Sequence, residues 1–244
     1  MQAQDYSLFE KKTYTHESGD VLPYRIMYPK DYDQDKAYPL VLFLHGAGER
    51  GNDNEAQLVH GVRTFMTNYH REQFPCIVIA PQCPSESYWS SVTVDRDNLP
   101  MGFDFNYKNE VTIALEMALA LTKKVIAEEA VNKKRVYITG LSMGGMGTLE
   151  ANWRERKLFA AAVPICSGGD PKSYKRKHSK IPFWFFHGND DQVVSHQFSR
   201  RMVERLKKLG ADVQYREYSG VGHNSWDRAY AEEELLAWLF AQKK

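Results

Sequence analysis

The stretch Val136-Tyr137-Ile138-Thr139-Gly140-Leu141-Ser142-Met143-Gly144-Gly145 decides how this chain is read. A short β-branched and aromatic run enters a turn of small residues, and an amphipathic stretch follows. That pattern predicts strand, sharp turn and helix, with Ser142 at the apex. The G-x-S-x-G spacing has a physical reason. A serine at such an apex sits in strained backbone, and side chains at the flanking glycine positions would collide with the neighbouring strand and helix. The turn lifts the hydroxyl over the sheet edge, and the following helix points its positive N-terminus at it. The spacing alone arises by chance in roughly one chain in ten of this size. The surrounding elements must therefore carry the argument.

Working outward, Arg135–Thr139 reads as the strand before the turn and Met143–Trp153 as the helix after it. Upstream, Pro39–His45 and Pro75–Ala80 are continuous apolar runs, as expected of strands buried on both faces. The loop Gly46–Gly51 lies between them, and residues 54–70 read as partly helical. Residues 108–130 place Val111, Leu115, Ala118, Thr122 and Val125 on one helical face. Downstream, Phe159–Cys166, Ile181–His187 and Val213–Tyr218 read as strands. A helix over roughly 196–209 has Ser195 as its expected N-cap and Gly210 as its stop, and a C-terminal helix spans 225–241. Residues 6–14 and 21–29 alternate around the turn Glu17-Ser18-Gly19-Asp20, the signature of an antiparallel hairpin. The fold expected is α/β: a doubly wound, mostly parallel sheet with helices on both faces, fronted by that hairpin. One domain over 1–244 is expected, because no linker or repeat interrupts the alternation. Residues 81–107 show no periodicity and are expected to form an irregular, cap-like loop near the site.

Composition narrows the function. Of 244 residues, 32 Lys and Arg face 31 Asp and Glu, for a net charge of +1, so no field draws nucleic acid or an anionic membrane. The cluster Lys172, Lys175, Arg176, Lys177 and Lys180 reads as a solvated loop. Cys76, Cys83 and Cys166 lack metal-site spacing and are expected to be unbridged. No apolar run reaches membrane-spanning length. Met1-Gln2-Ala3-Gln4 could end a removed signal sequence, which leaves a periplasmic, secreted or cytoplasmic location open.

A serine hydroxyl needs a base within hydrogen-bond reach, and the base needs an orienting acid. In open α/β sheets these groups sit on loops leaving the carboxyl ends of strands. The acid is expected in His187-Gly188-Asn189-Asp190-Asp191. The two aspartates point apart, and Asp191 is preferred over Asp190. The base is expected at His223, in Gly220-Val221-Gly222-His223-Asn224-Ser225-Trp226. His45 and His187 also end strands and read as loop fasteners through imidazole–backbone bonds. His16, His60, His70, His178 and His196 lack that context. The order Ser142, Asp191, His223 is nucleophile, acid, base. Oxyanion donors are expected from the backbone amide of Met143 and from Ala47, with Gly48 as the neighbouring alternative.

These residues resemble the α/β-hydrolase superfamily. Leu44-His45-Gly46-Ala47-Gly48-Glu49-Arg50-Gly51, Pro81-Gln82-Cys83-Pro84 with Trp89, the serine turn, and Gly222-His223 with Trp226 are similar to one branch of it. That is the carboxylesterase branch of feruloyl-esterase-like, polyhydroxybutyrate-depolymerase-like and dienelactone-hydrolase-like proteins. The resemblance covers residues 20–240. It implies ester hydrolysis through an acyl-enzyme without metal or cofactor, on a small-molecule or polysaccharide-linked acyl ester. Trp89 and Trp226 read either as substrate-pocket lining or as packing. Glu49 and Arg50 read as a loop-bracing ion pair or as substrate contacts.

Other classes fit less of the chain. Gly46-Ala47-Gly48-Glu49-Arg50-Gly51 matches a dinucleotide-binding fingerprint. However, Glu72, at the right spacing for the ribose-binding acid, precedes the next strand instead of ending it. A serine peptidase would use the same three residues, and a binding module would not need them. Oligomeric state is not legible, although the N-terminal hairpin could offer an edge for pairing.

Overall fold

The computed structural model describes residues 5–244, so the expected signal remnant at Met1–Gln4 lies outside the described residues. An eight-stranded sheet runs β1 (Glu10–Thr15), β2 (Val21–Met27), β4 (Ile77–Pro81), β3 (Tyr38–Leu44), β7 (Val131–Leu141), β8 (Ala161–Ile165), β9 (Phe183–Gly188), β10 (Val213–Tyr218). β1 and β2 form the expected antiparallel hairpin, and β2 also runs antiparallel to β4; every other pairing in the sheet is parallel.

Alternation along the buried strands sorts side chains to two cores. Leu40, Leu42 and Leu44 of β3, with Phe183 and Phe185 of β9, face α2 (Ile113–Glu128), α3 (Met143–Arg154) and α4 (Gln197–Lys208). Val41, Phe43, Trp184 and Phe186 face the opposite layer, which holds α5 (Trp226–Tyr230) and α6 (Glu233–Ala241). From β3 the chain steps to β4 on one side, then returns to β7 on the other. The carboxyl ends of β3 and β7 therefore flank the switch point where such sheets open a crevice.

Several boundaries differ from the sequence expectation. β7 begins at Val131 and not Arg135. α2 begins at Ile113 and not at residue 108, because the Thr112 hydroxyl accepts from the Leu115 amide and caps it there. The N-cap of α4 is His196, and Ser195 sits one residue further out. The expected C-terminal helix divides in two: Ala231 ends α5, and Glu232 turns extended to start α6. Residues 54–70 hold two 3-10 turns, Ala56–Leu58 and Val62–Phe65, and the start of α1 (Asn68–Gln73).

The largest difference lies in residues 81–107. They contain an antiparallel hairpin, β5 (Val92–Asp95) and β6 (Gly102–Phe105), and are anchored at both ends of the hairpin. At its base the fully buried Glu150 carboxylate of α3 accepts from the Ser90 hydroxyl at 2.8 Å, the Ser91 amide at 2.6 Å and the Ser91 hydroxyl at 2.8 Å. Arg154 balances that charge at 2.7 Å. Towards its tip the Met101 amide donates to the Val193 carbonyl at 3.0 Å.

Candidate active site

Ser142 sits at the apex expected of it, with φ 52° and ψ −117°, a conformation that L-residues rarely adopt. The two flanking glycines are obligatory for space. A Cβ on Gly140 would lie 2.4 Å from the Gly144 backbone, and one on Gly144 would lie 2.0 Å from the Leu44 carbonyl oxygen. The turn thus folds tightly onto itself and onto the end of β3. The Ser142 amide donates to Ile165 of β8 at 2.9 Å, which fastens the apex on the other side.

The structure brings Ser142, His223 and Asp191 into one relay. Ser142 Oγ lies 2.9 Å from His223 Nε2, and His223 Nδ1 lies 2.7 Å from Asp191 Oδ2. The other carboxylate oxygen, Oδ1, accepts from the Val193 and Val194 amides, each at 2.9 Å. Asp190 is exposed and meets Gln192. Burial pushes the Asp191 carboxyl upward. Hydrogen bonds from His187, His223 and the Val194 amide outweigh it and hold Asp191 below the ordinary carboxylate range.

Register puts the other expected groups at the same sheet end. Leu44 of β3 lies opposite Gly140 of β7, so the 3-10 turn Ala47–Glu49 that follows Gly46 flanks the serine turn. The amides of Met143, Ala47 and Gly48 all fall in the first positions of a helix or 3-10 turn, where backbone donors lack partners within the helix. His45 locks this side. Its Nδ1–H donates to the Gly46 carbonyl at 2.6 Å, and its Nε2 accepts from the Cys83 amide at 2.9 Å. Burial holds its imidazole down at about 4, hence neutral. That is the loop-fastening role expected of it.

Two expectations need correction. Trp89 is fully buried, with its ring edge-on to His45, so it packs the interior. Glu49 and Arg50 form no ion pair. Arg50 donates to the carbonyls of Ala47, Ser85 and Ser87, while the mostly buried Glu49, raised by burial, meets the His60 ring nitrogen Nε2 at 3.9 Å. Trp226 is half-buried and stands edge-on to His223 at 5.3 Å.

Sequence reasoning missed two residues. His60 lies against Trp226 at 5.3 Å, and together they line a groove of about 540 Å³ with Val59, Gly61 and Thr64. No strand precedes His60, so position gave no signal. His187 does bond the Val194 carbonyl as expected, but it also touches Asp191 Oδ2 at 3.1 Å. The His-Gly-x-x-Asp spacing after a strand carried that signal.

Among the described residues no cluster of three or more His, Cys, Asp or Glu could hold a metal ion. No helix among them is long and apolar enough to cross a membrane. Cys76, Cys83 and Cys166 are free and buried, and burial pushes the Cys76 and Cys83 thiols up to about 12. Lys172, Lys175, Arg176, Lys177 and Lys180 are all exposed.

Comparison with known proteins identifies the family. Residues 31–232 match the family described as phospholipase/carboxylesterase. The carboxylesterase SOBER1 of Arabidopsis thaliana is 26% identical over 196 residues, covering 77% of this chain and 84% of that protein. The bifunctional acetylxylan esterase/xylanase XynS20E of Neocallimastix patriciarum is 36% identical over 70 residues, 29% of this chain and 10% of that protein. The crystal structure of a thermostable esterase superposes with a TM-score of 0.88 at 38% identity, covering 98% of this chain; the chain spans 64% of that esterase. The chain belongs to the phospholipase/carboxylesterase family, within the α/β-hydrolase fold, and is a carboxylic-ester hydrolase.

Proposed function

We propose that Ser142 is the nucleophile, His223 the base and Asp191 the orienting acid in the hydrolysis of small acyl esters, of acetyl or feruloyl type, on an alcohol or a plant-cell-wall polysaccharide. The observation that carries this reading is the unbroken relay from Ser142 Oγ through His223 to Asp191, at 2.9 and 2.7 Å. His223 Nε2 takes the serine proton as Oγ attacks the ester carbonyl carbon. The C=O electron pair moves to oxygen, where the amides of Met143 and Ala47 donate to it. Collapse expels the alcohol, which leaves with the proton from His223. Water, deprotonated by the same imidazole, then releases the acid and restores the serine. Asp191 keeps Nδ1 protonated and stabilises the imidazolium formed at each step. Trp226, edge-on to His223 at 5.3 Å, borders the bound ester. The acyl preference is supported by the partial likeness to a protein named as an acetylxylan esterase.

The test is turnover of p-nitrophenyl esters from acetate to laurate, methyl ferulate and acetylated xylan, by the wild type and Ser142→Ala. The expected result is preference for short acyl chains and for acetylated xylan or methyl ferulate, with a loss in Ser142→Ala of about a million-fold. Preference for laurate overturns the substrate class. A fully active Ser142→Ala overturns the mechanism.

A further inference from the structure

His187 closes β9, is fully buried, and lies between the loop that carries Asp191 and helix α4. Its Nε2 is 3.1 Å from Asp191 Oδ2 and 2.9 Å from the Val194 carbonyl oxygen. A carboxylate and a carbonyl only accept, so Nε2 must carry a proton. Its Nδ1 is 2.8 Å from Ser199 Oγ, and Ser199 Oγ is 2.7 Å from the Ser167 carbonyl oxygen. That carbonyl also only accepts, and the hydroxyl has a single proton for two contacts.

The count is short by one. The four contacts need three protons: one on Nε2 shared by its two acceptors, one between Nδ1 and Ser199, and one from Ser199 to Ser167. A neutral imidazole and a hydroxyl bring two. Every neutral assignment leaves lone pair against lone pair at one of these contacts, in a place without solvent to relieve it. A doubly protonated ring satisfies all of them, and the Asp191 carboxylate supplies the countercharge.

We infer that His187 is held as an imidazolium paired with Asp191, and that it is a positioning residue for the triad acid. Asp191 Oδ2 thus serves two rings, His187 and His223. With the two amides on Oδ1, both carboxylate oxygens are engaged and the group cannot swing away. A fixed cation on the far side of Asp191 also opposes a second positive charge on His223.

The other groups around His187 do not supply or cancel this charge. The His196 ring, just before α4, stands 6.5 Å away, centroid to centroid. Glu217, opposite His187 in the β9–β10 register, is held by Arg200 at 2.6 Å. Cys166, after β8, is a buried thiol pushed well up by its burial. Asp190 is exposed.

The experiment has two arms. In the first, ring-15N-histidine NMR is recorded at pH 7 on Ser142→Ala protein, with His187→Gln used to assign the His187 signals. Two protonated ring nitrogens are expected for His187. Adding Ser199→Ala, which deletes the Nδ1 acceptor, is expected to turn Nδ1 into an unprotonated nitrogen. An unprotonated Nδ1 with Ser199 in place overturns the inference. The second arm rests on the esterase reading and uses chains that keep Ser142. The acidic limb of kcat/KM is expected to move up by about one pH unit in both Ser199→Ala and His187→Gln, because the opposing cation is gone. A limb that stays put while kcat/KM falls equally at all pH shows a merely structural role and overturns the positioning role. If no ester is turned over, the esterase reading fails while the NMR arm still decides the charge on His187.

Discussion

Two strands of this sheet end in the same dipeptide, His45-Gly46 after β3 and His187-Gly188 at the end of β9, and both imidazoles are buried. Their neighbours differ. His45 lies between a carbonyl and an amide, one acceptor and one donor, which a neutral ring satisfies. His187 lies between groups that accept on one side and a hydroxyl already committed on the other. Burial disfavours a charged ring at both sites. At His45 burial outweighs the Gly46 carbonyl and Asp53, which favour the charged ring; at His187 a carboxylate oxygen touches the ring at 3.1 Å. The protonation state of a buried histidine is set by the proton inventory around it, and the two strand ends divide the labour accordingly. One fastens the loop of the expected oxyanion donors without charge, and the other fastens the acid with charge.

The largest expected effect lies at the acid end. Asp191→Asn is expected to lower kcat by about ten-thousand-fold, since it no longer fixes the His223 tautomer. Asp190→Asn, which alters an exposed side chain, is expected to stay within about threefold of wild type. Steady-state kinetics of both on one p-nitrophenyl ester decides, and equal losses would erase the distinction between the adjacent aspartates.

At the β3 end the effect is on stability. His45 titrates near 4 when folded, below an unfolded value of about 6.5. Between these values the unfolded chain binds more protons, so stability is full above about pH 6.5 and falls as pH drops towards 4. From pH 7 to 4.5 the loss attributable to His45 is about 2 kcal/mol. In His45→Gln, whose carbonyl can still accept from the Cys83 amide, the pH dependence of urea unfolding is expected to flatten by that amount. An unchanged slope would show that His45 is not the titrating group. His178, also held down at about 4 by burial, contributes in the same direction and remains in the variant.

The comparison also shows how far the sequence could be read. The alternation of strands and helices, the serine turn and the three post-strand loops were legible because long apolar runs and glycine-flanked polar residues are dictated by the backbone. The β5–β6 hairpin was not, since its residues are mostly half-exposed and its register is held by distant partners: Glu150, and Val193 near Asp191. Trp89 illustrates the same gap. An aromatic in a loop stretch reads equally as lining or packing, and only the closure of that stretch over His45 and α3 buries it. Arg50 lost its expected acidic partner because carbonyls of the 85–87 loop, remote in sequence, satisfy it first. The charged form of His187 depends on Ser199 and Ser167, twelve and twenty residues away, which no local pattern joins.

The central claim is that Ser142 is the activated nucleophile. Its most direct test is reaction of the wild type with a fluorophosphonate, followed by mass spectrometry of the digested protein. The account predicts one phosphonyl group per chain, on Ser142, and its disappearance in His223→Ala. A label on another residue, or none at a concentration that labels other serine esterases, would contradict it.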